Sequence, residues 1–340
     1  MRERTLEGLV FCGADFEPAE GRVLVADGEI RAVEPTSVES DDWILPAFVN
    51  AHTHIGDSIA KEAGRGLSLD ELVAPPDGLK HRLLRETPRE EMVAAMRNSI
   101  AYMRESGTAA FLEFREGGVE GVERLREAAA DSPVEPVVLG RETVDALELA
   151  DGFGASGARD GEFGTERAAA RKADKLFGVH AGERDAADVD GALDLDPDFL
   201  VHMVHTRPHH LDRVADSGVP IVCCPRSNLV TDVGLPDFET LAETTTLALG
   251  TDNVMLNSPS MFREMAVTAK HSGLDAAAVL RMATRNGAVI AGRDYGLIEK
   301  GRPAKLQVLD GGSTNLAGAR DPVRAVVRRA GTADVRETLL

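Results

Sequence analysis

The sequence predicts an α/β fold, a (β/α)8 TIM barrel with a small β domain formed by both chain termini. Three observations predict it. Eight short apolar runs alternate with helical patterns through the middle of the chain. Both ends of the chain read as short strands punctuated by Gly, Asp and Pro. Reactive side chains recur where the central runs end, which is the edge at which a parallel barrel builds its active site.

The two chain ends make up the first predicted domain, residues 1–47 together with 298–340. Near the N-terminus, LEGLVFCG, GRVLVADGEIRAVEP and DDWILPAFV read as strands, with a hairpin turn at Asp27–Gly28. At the other end, GLIEKGRPAKLQVLD (296–310) and RAVVRRAG (324–331) read the same way. We therefore expect both ends to contribute strands to one small β domain.

Residues 48–297 form the second predicted domain, the barrel. Its strand-like runs are AFVNAHTH, GTAAFLEF, PVEPVVLGRE, GFGASGARD, KLFGVHAGE, DFLVHMVH, VPIVCCPRSN and TTLALGTDN. The fourth run is the weakest of them, because its three glycines disfavour a strand. A Gly- and Pro-containing segment, residues 56–88, follows the first run and is expected to lie over the barrel mouth.

Composition excludes some partners. The 340 residues carry a net charge of −19, so no nucleic-acid partner is expected, because phosphate binding requires a basic face. No apolar run reaches the roughly 18 residues of a membrane span, so no membrane partner is expected. Three cysteines cannot form a disulfide framework, which indicates a reduced, cytoplasmic setting.

The types of charged residue suggest the salt concentration in which the protein works. The chain has 7 Lys and 31 Arg against 57 acidic residues. This pattern is typical of halophilic proteins, in which high salt screens the self-repulsion. The alternative is an ordinary acidic protein encoded by a high-GC gene.

Reactive side chains end the first, fifth, sixth and eighth central runs. In chain order they are His52 and His54, His180 and Glu183, His202, and Asp252. Residues i and i+2 of a strand point to the same side, so His52 and His54 can face one point at the barrel mouth. Histidines with a carboxylate are a common metal-ligand set. The pattern therefore indicates a metal site rather than core positions, where unpaired polar groups are costly.

Several motifs extend this pattern to a family. The chain resembles the amidohydrolase superfamily and, within it, the cytosine deaminase and chlorohydrolase-like (ATZ/TRZ) branch. The matching pieces run in family order from about residue 20 to about residue 310; they are LPAFVNAHTH, GVHAGE, LVHMVH followed by VPIVCCPRSN, LALGTDN, and MATRNGAVIAGRDYGLIEKGRPAKLQVLD. The resemblance implies a distorted barrel with a β-sandwich built from both termini, in agreement with the prediction above.

The resemblance also implies a metal centre. By it, one divalent ion is held by His52, His54, His180 and Asp252. The catalytic residues are then Glu183, which shuttles protons, His202, which polarises the substrate or the water, and Asp252. Some superfamily members bridge two ions with a carboxylated lysine on the fourth strand, but the fourth run here has no lysine, so one ion is expected. Zinc and iron both suit this ligand set.

The implied activity is hydrolysis by a metal-activated water. The first hypothesis is a deaminase of a purine, pyrimidine or related heterocycle that releases ammonia, with Glu183 as general base and then general acid. The alternative is an amidohydrolase that cleaves a cyclic amide or imide. A remote alternative is a non-catalytic metal-binding barrel. The family commonly forms homo-oligomers, and the sequence leaves the oligomeric state open.

Three residues are predicted to contact the small-molecule substrate. Arg115 follows the second run, Arg141 ends the third, and Asn253 follows Asp252. The two arginines suit an acidic or carbonyl-rich substrate; the alternative is that each makes a structural ion pair. The same two interpretations, a contact with substrate or a structural ion pair, apply to Arg226. Asp57, Lys61 and Lys80 lie in the segment over the mouth and are expected to be solvated; the alternative is that they contact the substrate.

Overall fold

The computed structural model describes residues 3–340. Its strands form two separate sheets. In chain order the strands are β1 (Glu3–Cys12), β2 (Glu17–Ala26), β3 (Glu29–Pro35), β4 (Asp42–Pro46), β5 (Phe48–His54), β6 (Thr108–Arg115), β7 (Glu135–Gly140), β8 (Gly152–Ala155), β9 (Leu176–Ala181), β10 (Phe199–His202), β11 (Ile221–Cys223), β12 (Leu247–Leu249), β13 (Asp252–Asn253), β14 (Leu306–Asp310) and β15 (Val335–Leu339).

Helices connect the strands and cover the outside of the larger sheet. They are α1 (Leu69–Val73), α2 (Leu79–Glu86), α3 (Arg89–Glu105), α4 (Gly118–Ala129), α5 (Val144–Leu149), α6 (Gly164–Lys172), α7 (Val189–Asp194), α8 (Pro208–Ser217), α9 (Pro225–Val230), α10 (Phe238–Thr244), α11 (Met261–His271), α12 (Ala276–Met282), α13 (Arg285–Ile290) and α14 (Pro322–Arg328), with 3₁₀ helices at Ile55–Ala60 and Thr332–Asp334. Among residues 3–340, none of the helices combines the length and the apolar character that a membrane crossing requires.

The larger sheet is the predicted barrel. Its nine strands follow the order β12-β11-β10-β9-β8-β7-β6-β5-β13, and the neighbours pair in parallel. The two edge strands, β12 and β13, are separated in the chain only by Gly250 and Thr251. The Gly250 amide donates to the Cys223 carbonyl and the Thr251 amide to the His52 carbonyl, each at 3.0 Å. One interrupted eighth strand therefore closes the sheet on itself, and the predicted α/β barrel is confirmed.

Glycines in the fourth barrel strand make room for an aromatic ring below the site. A Cβ added at Gly154 in β8, or at Gly178 in β9, would lie 2.6 Å from the ring of Phe114. This ring is fully buried and packs edge-on against His52 and His180, with ring centroids 4.7 and 5.0 Å apart. The fourth run therefore does form a strand, although its glycines disfavour one by propensity. These glycines leave room for the Phe114 ring beneath the histidines.

The smaller sheet is built from both chain ends. Its order is β15-β14-β4-β1-β2-β3, and β14 pairs antiparallel with β4, which joins the C-terminal strands to the N-terminal ones. One pairing, β1 with β4, is parallel. The predicted β domain from both termini is thus present as a single six-stranded sheet. The boundaries proposed at residues 47/48 and 297/298 stay a prediction.

One terminal element was predicted wrongly. Residues 324–331 read as a strand, but they belong mostly to helix α14. Pro322 occupies its first turn, and the Asp321 carboxylate accepts a hydrogen bond from the Arg324 amide at 2.9 Å. An Asp cap followed by Pro is a strong helix start, and this signal outweighs the β-branched valines of the run.

The segment after β5 lies over the barrel mouth, as predicted. It contains α1 and α2, and its residues line the cavity above the strand ends. Ser68 starts α1 with a capping box to Glu71. Asp70 of α1 pairs with Arg184, which follows β9. This segment therefore forms one wall of the cavity, and an ion pair attaches it to the opposite rim.

Candidate metal centre

Buried imidazoles and one carboxylate converge at the carboxyl ends of the barrel strands. His52 and His54 lie on β5, His180 on β9, His202 at the end of β10, and Asp252 at the start of β13. Each is at most 8 % exposed. The structure therefore brings together side chains that are up to 200 residues apart in the chain, and the i, i+2 spacing places both β5 histidines in the same cluster.

The spacing of the donor atoms suits a small ion. The Nε2 atom of His52 lies 3.3 Å from Oδ1 of Asp252, and Nε2 of His54 lies 3.6 Å from the same oxygen. The Nε2 atoms of His54 and His180 are 3.4 Å apart. Zinc–nitrogen bonds of about 2.1 Å in a tetrahedral site put neighbouring ligand atoms about 3.4 Å apart. These three separations each have the length of an edge of such a site. Within this cluster, the donor atoms that all lie within 4.8 Å of one another form two overlapping groups, one of His52, His54 and His180 and one of His52, His202 and Asp252.

Hydrogen bonds orient two of the imidazoles. Nδ1 of His54 lies 3.0 Å from the Phe114 carbonyl, and Nδ1 of His180 lies 2.8 Å from the Ala155 carbonyl. A carbonyl only accepts, so each Nδ1 carries the proton and each Nε2 directs a lone pair into the cluster. Two lone pairs facing each other across 3.4 Å are stabilised by a cation between them.

Unpartnered atoms in the same place support this interpretation. Among residues 3–340, both ring nitrogens of His52 and Oδ1 of Asp252 are buried without a hydrogen-bond partner. Leaving such groups unsatisfied in a protein interior costs about 1–3 kcal/mol each. Burial also lowers the pKa of His54 to about 3 and lowers the pKa of His180 well below its usual value. Neutral imidazoles and an unpaired carboxylate oxygen are the donor set that a divalent cation requires.

Helix α9 fixes the orientation of two site residues. The Ser227 hydroxyl donates to Oδ2 of Asp252 at 2.5 Å, which leaves Oδ1 facing the cluster. Nδ1 of His202 lies 3.0 Å from Oδ1 of Asn228, so its Nε2 faces Glu183 Oε2 at 3.7 Å. No role was predicted for Ser227 or Asn228. One feature of the sequence could have indicated them. Pro225 favours a helix start directly after β11, which places the next residues, Ser227 and Asn228, at the barrel mouth.

Backbone conformation distinguishes the same residues. His202 has φ +76° and Asp252 has φ +57°, in the left-handed region that residues with a side chain rarely adopt. Such conformations concentrate at functional sites, where the surrounding structure holds them. Each of these strand ends is turned so that its side chain points into the mouth.

The three predicted substrate residues lie in different places. Asn253 and Arg141 line the cavity above the metal cluster. Arg115 does not line it; its Nε donates to the Gly121 carbonyl at 3.1 Å, and it lines an adjoining cavity that Arg141 also borders. The contact between Arg115 and substrate stays a prediction, and its buried guanidinium makes contacts that suit the structural alternative.

Two residues that were expected to be solvated are buried. Lys80 is 2 % exposed and Asp57 is fully buried. The Lys80 ammonium donates to Oδ1 of Asn253 at 3.1 Å and lies 2.7 Å from Oε1 of Glu116. Asp57 accepts a hydrogen bond from the Met255 amide at 3.0 Å. The prediction failed because these contacts depend on how the whole segment folds over the mouth, which local sequence does not encode.

Arg226 makes a structural ion pair. Its Nε donates to Oε2 of Glu264 at 2.5 Å, and its backbone amide donates to Oε1 of the same carboxylate at 2.9 Å. Glu264 is fully buried and Arg226 is 8 % exposed. The pair therefore anchors the start of α9, which carries Ser227 and Asn228.

Replacing Arg226 with Leu is expected to lower the free energy of unfolding of the metal-free protein by about 3–5 kcal/mol, because Glu264 would remain buried and unpaired. Urea denaturation followed by circular dichroism measures this. The double variant with Glu264→Leu serves as the control and should recover most of the loss. A single variant as stable as the wild type would contradict the importance of the pair.

A closed parallel barrel whose mouth gathers buried neutral histidines and an aspartate defines a class of protein, the metal-dependent hydrolases. The model of the Amidohydrolase family matches residues 43–338. The chain belongs to this family. The predicted superfamily resemblance is thereby confirmed, as is the enzyme class, a metal-dependent hydrolase acting on carbon–nitrogen bonds.

Individual relatives cover nearly the whole chain. A putative aminohydrolase of Methanothermobacter thermautotrophicus is 34 % identical over 368 aligned residues, which cover 95 % of this chain and 93 % of that protein. A 5-methylthioadenosine/S-adenosylhomocysteine deaminase of Halobacterium salinarum is 30 % identical over 390, covering 96 % and 88 %. The crystal structure of an adenosine deaminase from Xanthomonas campestris with bound zinc has a TM-score of 0.78 at 20 % identity, covering 99 % and 91 %; this last likeness shows a shared fold.

Proposed function

We propose that this chain is a one-metal deaminase that replaces an exocyclic amino group of a purine or related heterocycle with oxygen and releases ammonia. Zinc is the proposed ion, with His52, His54, His180 and Asp252 as its ligands. The observation that carries the proposal is that three donor separations, 3.3, 3.4 and 3.6 Å, each have the length of an edge of a tetrahedral zinc site. The deaminase named for the Halobacterium salinarum relative supports the choice of reaction.

The chain's residues have separate tasks in this reaction. A bound divalent ion supplies the Lewis acidity that makes water a nucleophile near neutral pH. Glu183 takes a proton from the attacking water and delivers it to the departing nitrogen, as general base and then general acid. Asp252 accepts a hydrogen bond from the same water through Oδ1. Water adds to the ring carbon, the carbon–nitrogen bond breaks, and the products are a ring carbonyl and ammonia.

His202 completes the site. Its Nδ1 donates to Asn228, and its Nε2 faces Glu183 across the cavity. From this position His202 would polarise the substrate or the attacking water. Burial raises the pKa of Glu183, which moves it toward the range in which a carboxyl both accepts and returns a proton.

A screen for ammonia tests the reaction. The zinc-loaded protein would be assayed against adenine and guanine nucleosides, cytosine, and cyclic amides and imides. We expect ammonia release from one of the amino-substituted heterocycles. Opening of a cyclic amide or imide without release of ammonia would contradict the proposal in favour of an amide hydrolase. Bound metal without turnover of any compound would favour a non-catalytic barrel. Elemental analysis of the purified protein distinguishes zinc from iron.

We also propose that the protein works in a cytoplasm of high salt. Its net charge of −19 destabilises the folded state by self-repulsion until salt screens it. The melting temperature is expected to rise between about 0.2 and about 3 M KCl, since the screening length falls to a few ångströms over this range. A melting temperature that is independent of KCl would contradict the proposal.

A further inference from the structure

A group of buried cations lies beside the candidate metal centre. One carboxylate, Glu116, faces three of them: Lys80 Nζ lies 2.7 Å from its Oε1, Arg141 NH1 lies 3.1 Å from the same oxygen, and Arg115 NH1 lies 3.6 Å from Oε2. The three cations are 2, 8 and 2 % exposed. Nδ1 of His54 lies 2.8 Å from Oε1 of Glu116, so its single N–H is shared between this carboxylate and the Phe114 carbonyl. Glu116 therefore offsets only part of the positive charge around it.

Two more carboxyl groups, Asp57 and Glu113, are fully buried near these cations. Burial raises the pKa of Asp57 well above its usual value and that of Glu113 to about 7. Acidic side chains, among them Glu183 and Asp252, line the same cavity as the cations. The positive charge is therefore confined to the part of the wall where Lys80 and Arg141 share Glu116.

Most N–H groups of the Arg141 guanidinium have no acceptor among the described residues. Within residues 3–340 its guanidinium makes one hydrogen bond, from NH1 to Glu116. The other two arginines that line the same cavity are paired differently: Arg159 lies within salt-bridge distance of Asp185 and Asp188, and Arg184 pairs with Asp70. The free N–H groups of Arg141 therefore face space rather than protein.

That space is a junction between two cavities. Arg141 lines both the cavity of about 90 Å³ above the metal cluster and an adjoining one of about 790 Å³. The smaller cavity has room for a reacting ring edge but not for a whole nucleoside. The larger one falls within the usual 300–1,000 Å³ of ligand sites, and Phe153 and Phe163 supply apolar lining there.

We infer that Lys80 and Arg141 bind an anionic group of the substrate, a carboxylate or a phosphate, on an arm that extends from the reacting ring into the adjoining cavity. The identity of the ring rests on the proposed function. A guanidinium with free donors suits either anion as a two-pronged partner, and the Lys80 ammonium adds a point charge beside it. The substrate class is then an amino-heterocycle with an acidic arm.

Paired ligands test this on the zinc-loaded Glu183→Gln protein, in which turnover does not interfere with calorimetry. The pairs are S-adenosylhomocysteine against 5-methylthioadenosine, for a carboxylate, and adenosine monophosphate against adenosine, for a phosphate. The charged member of one pair is expected to bind about 10- to 100-fold more tightly, the usual value of a hydrogen bond to a charged group. Which pair shows the preference identifies the anion.

Variants assign the preference to residues. Adding Arg141→Met should abolish it while changing the affinity for the neutral ligand by less than about threefold, since only the charged contact is lost. Arg141→Lys should keep part of it. Arg159→Met removes a cation from the same cavity that already has carboxylate partners, and should keep it in full. Circular dichroism checks that each variant is folded. Lys80→Met tests the second proposed contact to the anion in the same way.

A probe without a ring separates this inference from the proposed function. Malonate and inorganic phosphate, titrated at constant ionic strength, should bind to the parent protein and not to the Arg141→Met variant. If no heterocycle releases ammonia but one of these anions binds through Arg141, the proposed function fails and the anion site stands. Equal affinity for charged and neutral ligands, together with no Arg141-dependent binding of malonate or phosphate, would overturn the inference.

Discussion

Replacing Glu183 with Gln is expected to lower kcat by about 10²- to 10⁴-fold while the metal content stays unchanged, because the amide keeps the shape of the side chain but cannot carry a proton. Glu183 lies outside the cluster of proposed ligands, its Oε2 is 3.7 Å from Nε2 of His202, and its side chain is 23 % exposed. It can therefore reach both the attacking water and the leaving nitrogen. Ammonia release and elemental analysis of the same preparation measure both halves of this expectation.

A neighbouring carboxylate gives the matched control. Asp185 lies two residues further along the same loop, is 51 % exposed, and pairs with Arg159. Asp185→Asn should turn over at close to the wild-type rate. Wild-type turnover by Glu183→Gln would remove the proton-transfer role from this residue. Loss of metal from Glu183→Gln would instead place its carboxylate among the ligands.

Replacing His180 with Ala is expected to leave the purified protein without stoichiometric metal and without activity. His180 supplies one of the proposed donor atoms, and its Nε2 lies 3.4 Å from that of His54. Removing it opens the site to water on one side and leaves three protein ligands. Since a ligand that binds only the folded state stabilises it, metal should no longer raise the melting temperature as it does for the wild type.

A surface histidine controls for general effects of losing an imidazole. His271 is exposed in the last turn of α11, and among residues 3–340 it belongs to none of the groups of possible metal ligands. His271→Ala should retain its metal and its metal-dependent rise in melting temperature. A His180→Ala protein with full metal content would show that the ion is held elsewhere.

Sequence predicted those parts of the molecule that depend on local spacing. The i, i+2 placement of His52 and His54, and the positions of His180 and Asp252 at the ends of apolar runs, follow from strand periodicity and from the rule that parallel barrels build sites at carboxyl edges. The structure gathers these four side chains into one cluster. Prediction was less successful where strand propensity competed with a helix cap, as in residues 324–331, most of which belong to helix α14 after Asp321 and Pro322.

Contacts between distant segments lay beyond sequence reasoning. Lys80 sits on α2, and nothing in its local pattern shows that α2 covers the mouth and brings the ammonium to Glu116 and Asn253. Arg115 and Arg141 both end or follow barrel strands, yet only Arg141 reaches the cavity above the metal cluster. The difference arises because the Arg115 guanidinium packs back onto the Gly121 carbonyl, a choice that depends on the neighbouring helix.

Anomalous X-ray diffraction at the zinc edge from crystals of the zinc-loaded protein tests the central claim most directly, because it locates the ion without reference to activity. The claim predicts one peak at the barrel mouth, about 2.0–2.2 Å from Nε2 of His52, His54 and His180 and from Oδ1 of Asp252. A barrel mouth without an anomalous peak, or a peak ligated by other side chains, would contradict it.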